Sequence, residues 1–479
     1  MDEARSSPRF MAMQERLVVH LPGDAPRQEW VSVECATKEA YCCGKRGDIM
    51  LEGLTLYVRR LGSSDLNSSL AIGLSHLALE SIQGELGVPI QFHGISGCLP
   101  EIDGSIRIVD QEVLVLLVIF RFRNHSKLVY YLVYDAKDAS MYMIPYIPED
   151  LKAIFTVTPV PARPAGGHGH ELVLMARKFW PQRAERGRLC LCTPSTRANP
   201  DSTGPWAIKE HRFPDLLQAF SADVMFSFED KVFWADLSQG VAYSNLRKGD
   251  SATFIKLPRG YLIDFSVVPM YAETEPASRS RTMGCIQGSV KFVCINRSVH
   301  HHPGYLMVRV WTLDLDHKQW KQEKGFPCLW KDLWKKVCDI NSDMRYVVPP
   351  QPEYPILTPD GALSVVLPKT LQRRGGMEAD RICSFDIVSK RCMCLGEVSN
   401  YHSIEPIILP SNFFNRYPAP LEQKLATPKR QLPSTVRDLK LPTKETKLPT
   451  PKRKLNSIVR QEPKRRPAFV QVVAILRRL

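Results

Sequence analysis

Four stretches of this chain repeat one hydrophobic pattern: an apolar run ending in Asp, a turn of four or five residues, and a second apolar run. They are YYLVYDAKDASMYMIP with Asp135, KVFWADLSQGVAYSNL with Asp236, VRVWTLDLDHKQWKQE with Asp314 and RICSFDIVSKRCMCLGEV with Asp386. Six positions after the Asp stands Met141, Trp320 or Cys392 in three of them, and Ala242 between Val241 and Tyr243 in the other. The pattern predicts antiparallel hairpins. β-Branched and aromatic side chains suit a pleated, half-buried surface, loops of this length join neighbouring strands, and an Asp carboxylate accepts from backbone N–H groups two or three residues on. A weaker fifth copy, LCLCTPSTRANPDSTGPWAIKEHRFP, has its returning strand at Trp206.

Further strand-like runs fall at residues 189–192, 290–295 and 362–367. The longest apolar run, VLVLLVIF at residues 113–120, has eight residues; a membrane-spanning helix needs ~20, so it reads as a strand covered on both faces. Helical spacing is confined to LSHLALESIQ at 74–83 and LWKDLWKKVCDI at 329–340, where Leu329, Leu333, Val337 and Ile340 share a face.

The predicted fold is therefore mainly β: a propeller-like body of repeated antiparallel hairpins with few short helices, then a disordered basic C-terminal tail. Propeller blades run to ~40–50 residues. The Asp-to-Asp separations are 101, 78 and 72 residues, which demands insertions. Unrelated hairpins in a sandwich or split barrel are the alternative. Residues 1–105 read as a divergent N-terminal region, 106–415 as the β-rich body and 416–479 as the tail.

Charge sharpens the boundary of the tail. Of the formal +14, the stretch 421–479 supplies +12, from sixteen Lys/Arg against four Asp/Glu, so the body is nearly neutral. The tail repeats TPKR at 427–430 and 450–453 and KLPT at 440–443 and 447–450. Its recurrent prolines remove backbone donors and restrain the preceding residues, and it has little apolar surface to offset chain entropy. TPKRKL and PKRRP resemble short basic nuclear-import signals, which makes Lys452, Arg453, Lys454, Lys464, Arg465 and Arg466 candidates for binding an import receptor or nucleic acid. Thr427 and Thr450, each before Pro-Lys-Arg, are candidate phosphorylation sites, where a phosphate would remove up to ~2 units of positive charge.

The thirteen cysteines form no CxxC pair. Cys190 with Cys192, and Cys392 with Cys394, sit two apart in apolar runs, where period two sends both to one face. They read as small buried hydrophobes in a reducing compartment. MDEARSSPRF is not a signal peptide. The expected location is the cytoplasm, the nucleus or both, with no membrane partner.

The hairpins resemble a named family. YYLVYDAKDASMYMIP is similar to the YFVYDA segment of the domain-of-unknown-function 1618 family, a plant family expanded in grasses. VFWADLSQGVAYSNL resembles its WVDLxxGIL signature, FIKLPRGY the F(I/V)xLP that follows, and MVRVWTLDLDHKQW a strand-turn-strand in its later half. The resemblance spans residues 113–399. It implies no activity, substrate or catalytic residue, because the family has none established.

No reactive constellation emerges. GLSHL at 73–77 lacks the second Gly of a nucleophile elbow, and HGISG at 93–97 is one residue short. No Walker A loop or GxGxxG occurs. His168 and His170 sit in a Pro/Gly loop, and His300, His301 and His302 form a run whose neighbours point to opposite faces, a poor tetrahedral set. Trp234, Trp311 and Trp320 read as strand core. The expectation is a non-enzymatic protein-interaction module without catalytic, cofactor-binding or metal residues and without a cofactor. The alternatives are a nucleic-acid-associated protein acting through the tail and an enzyme of undetected type.

Overall fold

Val113–Phe122 is buried on both faces, and its two faces belong to different neighbours. Val113, Val115 and Leu117 pack with Leu172, Leu174 and Cys190, whereas Leu114, Leu116, Val118 and Phe120 pack with Leu56, Leu70 and Ile72. A strand sandwiched in this way needs a sheet on either side, and repeating the arrangement around an axis makes a ring. The computed structural model describes residues 10–24, 28–59, 66–88, 99–122, 126–147, 153–155, 158–163, 170–178, 186–192, 205–213, 220–247, 251–263, 275–296, 306–358, 360–369, 379–398 and 407–414. They form six sheets arranged as a six-bladed β-propeller.

Blade I orders Ile407–Pro410, Phe10–Met13, Asn67–Leu74, Leu54–Arg59 and Trp30–Ser32, with Val18–His20 parallel to Asn67–Leu74. Blade II runs Glu101–Asp110, Val113–Phe122, Ser126–Asp135 and Ser140–Pro145, edged by Thr37–Ala40 in parallel. Blade III sets Ala153–Phe155 and Val160–Ala162 against Glu171–Lys178, followed by Arg186–Cys192 and Ala207–Arg212. Blade IV is Val224–Phe228, Lys231–Asp236, Gly240–Asn245 and Thr253–Lys256. Blade V is Arg281–Ile286, Ser289–Asn296, Met307–Asp314 and Gln319–Gln322, with Cys328–Leu329 also on Met307–Asp314. Blade VI is Glu353–Leu357, Ala362–Leu367, Asp380–Asp386 and Cys392–Val398.

Six apolar clusters lie between consecutive blades, and the last closes the ring. Ala12 and Leu66 of blade I pack with Tyr354, Val366, Ile382 and Val398 of blade VI. Closure is also covalently distant: Phe10–Met13 pairs antiparallel with Ile407–Pro410, joining residues four hundred positions apart. Leu66 N–H donates to the Glu397 carbonyl at 3.1 Å. The described part of residues 1–105 thus supplies all of blade I but the strand Ile407–Pro410, together with an edge strand and the start of the first strand of blade II.

Among the described residues, three α-helices interrupt the sheets: α1 Gly44–Glu52, α2 His76–Glu85 and α3 Trp330–Ile340. The last two fall where helical spacing predicts them. α3 buries Trp330, Leu333, Trp334 and Val337 against blades V and VI, but leaves Ile340 exposed. The face is set by the two indoles, the bulkiest apolar groups on the helix, rather than by the aliphatic stripe.

The hairpins occur as predicted, with one shift of frame. Asp135, Asp314 and Asp386 end the third strand of blades II, V and VI, but Asp236 ends the second strand of blade IV. Successive hairpin turns alternate between the two ends of a sheet, so Asp236 belongs to the opposite end. The place of Asp in the third-strand turn of blade IV is taken by Asn245, whose Oδ1 accepts from Arg247 N–H at 2.9 Å. With that substitution the spacing becomes regular: Asn245 to Asp314 is 69 residues and Asp314 to Asp386 is 72. The Asx turns form as expected, through Lys137 N–H at 2.9 Å, His317 N–H at 3.0 Å and Ser389 N–H at 2.6 Å.

The cysteine pairs divide. Cys190 and Cys192 are both buried between blades II and III. Cys392 and Cys394 face different clusters, because they pair with the adjacent residues Phe385 and Ser384, which leaves Met393 as an extra residue between the two cysteines. A β-bulge breaks the period of two.

Candidate functional site

The junction of α1 and α2 beside blade I carries a concave, partly apolar surface. Lys38, on the strand added to blade II, donates from Nζ to the Glu52 carbonyl at 3.1 Å and the Leu54 carbonyl at 2.7 Å. It satisfies carbonyls at the end of α1, where a cation also complements the helix dipole. The chain then turns at Gly53, whose N–H bonds the Ile49 carbonyl at 3.1 Å and whose carbonyl receives Ser75 N–H at 2.8 Å. Ser75 caps α2, its Oγ accepting from Ala78 N–H at 3.1 Å. A Cβ at position 53 would stand 2.2 Å from Ser75 Oγ, so the approach of the two helix ends requires glycine.

This junction walls an open concavity of about 550 Å³. Leu51 and Ala40 are on its floor, and Ile49 and Leu77 on its rim at 46% and 67% exposure. These are large aliphatic groups held in water by rigid backbone, whereas most of their kind in this chain are interior. Asp48 and Glu52 flank them, and no cation among the described residues pairs with either. With the Lys38 charge already engaged by carbonyls, the rim is apolar and acidic. Such a surface suits a segment that brings an aliphatic or aromatic side chain and a positive charge.

Several buried polar groups elsewhere are engaged with one another. At the seam of blades II and III, His170 is 3% exposed and its Nδ1 lies 3.4 Å from Asp135 Oδ2. Arg163 reaches Glu112 at 3.1 Å and Asp135 at 3.6 Å. Burial pushes the Asp135 carboxyl up, but the His170 imidazole, the Lys137 N–H and the Arg163 charge outweigh it and hold the group below its usual range. Among the described residues no Ser, Thr or Cys hydrogen-bonds His170, so a nucleophilic triad is not assembled there. In blade V, Lys291 Nζ meets Thr312 Oγ1 at 3.0 Å and Glu323 Oε2 at 2.5 Å, and Thr312 donates to the same oxygen at 2.6 Å. Near the axis, Asp110 Oδ2 accepts from Ser227 N–H at 2.7 Å and Ser227 Oγ at 2.6 Å, tying blade II to blade IV. Burial pushes the Asp110 carboxyl up to about 6 in spite of those bonds. No group of three His, Cys, Asp or Glu among the described residues is placed to hold a metal.

The Asp236 turn is a structural knot. Its carboxylate accepts from Ser221 N–H, Ser238 N–H and Gln239 Nε2, each at 2.9 Å, and from Ser238 Oγ. Trp234 and Trp311 are core, at 0% and 6% exposure, and Trp320 bridges blades by donating from Nε1 to the Lys256 carbonyl at 2.8 Å. Ser75 of GLSHL is a helix cap, not an elbow. Lys452, Arg453, Lys454, Lys464, Arg465, Arg466, Thr427 and Thr450 lie outside the described residues, as do His168, His300, His301, His302 and the HGISG stretch. Sequence reasoning missed the concavity, because α1 has a weak apolar stripe, and missed the burial of His170, because its Gly/Pro neighbours read as solvated loop.

Residues 234–366 match the family described as protein of unknown function (DUF1618). The match is narrower than the resemblance over 113–399, and the Asp135 hairpin falls outside it. No curated protein matches the chain. Among solved structures, the acylaminoacyl peptidase of Pyrococcus horikoshii is similar at 10% identity, with 61% of this chain and 39% of that chain covered and a TM-score of 0.28. The exo-β-1,3-galactanase 1,3Gal43A of Clostridium thermocellum gives 11%, 62%, 48% and 0.21. The NanB sialidase of Streptococcus pneumoniae gives 8%, 80%, 71% and 0.26. The chain spans less than half the length of the first two. Likenesses of this strength contribute nothing to the reading of function. No helix among the described residues is long and apolar enough to cross a membrane.

Proposed function

We propose that this chain is a non-catalytic protein-interaction module: a rigid propeller that engages a partner segment through the α1–α2 concavity, with a basic tail that directs it to the nucleus. The observation that supports the reading is the pairing of exposed Ile49 and Leu77 with Asp48 and Glu52, which no described cation pairs, on two helices joined through Gly53 and Ser75. Central, desolvated apolar anchors ringed by charge are the usual source of interface affinity. The buried ionisable clusters, by contrast, are engaged in cross-strand and inter-blade bonds.

The test is capture of partners by the full chain and by an Ile49→Asp, Leu77→Asp variant, with circular dichroism confirming an unchanged fold. A specific set of proteins retained by the parent chain and lost by the variant supports the reading; identical sets sink it. For the tail, a fluorescent fusion should leave the nucleus when Lys452, Arg453, Lys454, Lys464, Arg465 and Arg466 become Gln. A second reading, nucleic-acid association, draws on the +12 of residues 421–479. It requires affinity for RNA or DNA that falls steeply with salt and disappears with the tail.

A further inference from the structure

Blade V holds two arginines on one face with no described carboxylate against them. Pairing sets Arg281 opposite Cys294 and Cys294 opposite Arg309, so three side chains stand in a row across adjacent strands. Cys294 packs in the cluster shared with blade IV, which fixes the face on which the row lies. Arg281 Nη1 donates to the carbonyls of Leu237 at 2.9 Å and Tyr261 at 2.7 Å, anchoring its guanidinium at the blade IV turn. Arg309 meets the Tyr261 hydroxyl. The Tyr261 ring is itself held edge-on to Trp311, with centroids 4.5 Å apart.

What sets this row apart is its electrostatics. Among the described residues, Arg59, Arg107, Arg279, Arg309 and Arg381 have a buried Nε with no hydrogen-bond partner. Arg59, Arg279 and Arg381 nevertheless hold Glu29, Glu353 and Glu397 through the same guanidinium. Arg309 pairs with no described carboxylate, and neither does Arg281 across Cys294. Two like charges brought together repel, and a guanidinium offers a planar fork of donors matched to oxyanions. The row therefore has two fixed cations, a phenol and an idle donor.

We propose that Arg281, Arg309 and Tyr261 form a binding site for a doubly charged oxyanion of the phosphate class at the seam of blades IV and V. The anion supplies a counter-charge that no described carboxylate provides, and the Arg309 fork and the Tyr261 hydroxyl supply its hydrogen bonds. Free phosphate and the phosphoryl group of a larger ligand present the same chemistry to the site.

The experiment titrates the full chain with inorganic phosphate and, separately, with O-phosphoserine, by calorimetry at constant ionic strength. The basic tail also attracts anions, so the readout is the difference between the parent chain and Arg309→Gln. A saturable site that weakens at least tenfold in Arg309→Gln is the expected result. Tyr261→Phe, which removes one hydroxyl, should weaken it severalfold and keeps the test alive if the arginine variant fails to fold. Tighter binding of the ester assigns the site to a phosphorylated ligand, and tighter binding of phosphate to the free anion. Equal titrations in the parent chain and both variants, or the same heat from sodium chloride, overturn the proposal.

Discussion

Asp236→Asn is the sharpest test of how the ring is held. The carboxylate is 3% exposed and has four donors, two on each oxygen. Asn keeps the shape but turns one acceptor into a donor. The least costly orientation puts the new amide at Oδ2, with Gln239 flipped so that its Oε1, now without a partner, accepts from it. That still leaves the Ser221 N–H facing a donor. One buried unsatisfied group costs about 1–3 kcal/mol, and the bonds that remain lose their charge assistance. The expected loss is about 2–4 kcal/mol. Asp386→Asn is the control, because it alters a similar Asx turn at the surface, where Ser389 N–H and Oγ can turn to water; its cost should stay within about 0.5 kcal/mol. Urea unfolding followed by tryptophan fluorescence reads both, provided the slopes agree. Equal midpoints for the two variants would refute the assignment of Asp236 to a buried knot.

Gly53→Ala should displace α1 from α2, since its Cβ would come 2.2 Å from Ser75 Oγ and 2.8 Å from Ala78 Cβ; limited proteolysis should cut the helical pair sooner than in the parent chain. Leu409→Ala, at a 0% exposed position on the strand that closes blade I, should cost about 2–5 kcal/mol in urea melts; a loss under 1 kcal/mol would mean that this strand does not close the ring. The pH dependence follows from Asp110. Its folded value of about 6 lies above the ordinary 3.8, so the folded chain binds that proton more tightly. Its contribution is full below the ordinary value and is lost as pH rises towards 6, at up to ~1.4 kcal/mol per pH unit. Asp110→Asn should flatten that part of a stability profile taken from pH 4 to 7, and an unaltered slope would show that Asp110 is not the group responsible.

Much of the architecture was legible because its signals are local. Eight apolar residues in VLVLLVIF read as a two-sided strand, and the alternate packing of Val115 and Leu116 on blades III and I bears that out. The hairpins were legible for the same reason, since strand pattern and turn chemistry lie within eighteen residues. Blade I was not, because four of its six strands have only three or four residues and its closing strand is defined by a partner far away, as in Met11 against Leu409. The frame of Asp236 was hidden because the same Asx chemistry closes turns at either end of a blade. Met393 could not be read as a bulge, because the need for it comes from a neighbouring strand. The candidate surfaces were less legible still. Ile49 and Leu77 lie twenty-eight residues apart, and Arg281 and Arg309 the same. Each pair is made only by the fold.

The position of the family match follows from this physics. It begins in the second strand of blade IV, Lys231–Asp236, and ends in the second strand of blade VI, Ala362–Leu367. A segment framed in this way takes in the two seams IV–V and V–VI. The residues that carry the WVDLxxGIL likeness are buried in blade IV, and Trp234 faces the seam with blade III. Trp234 is fully covered and lies edge-on to Phe213, 6.3 Å away. Asp236 ties the turn, and a Cβ at Gly240 would lie 2.3 Å from the Ile255 carbonyl oxygen. None of the three can contact a ligand without the blade opening. The signature therefore specifies how one blade is locked to the next and leaves chemistry unassigned. A chain can keep such a lock while its exposed groups, here those of the Ile49–Leu77 rim, change freely. Function in this fold is thus to be sought at those surfaces rather than in the motif, and exchange of rim residues between two chains with the same lock should transfer partner choice without altering unfolding midpoints.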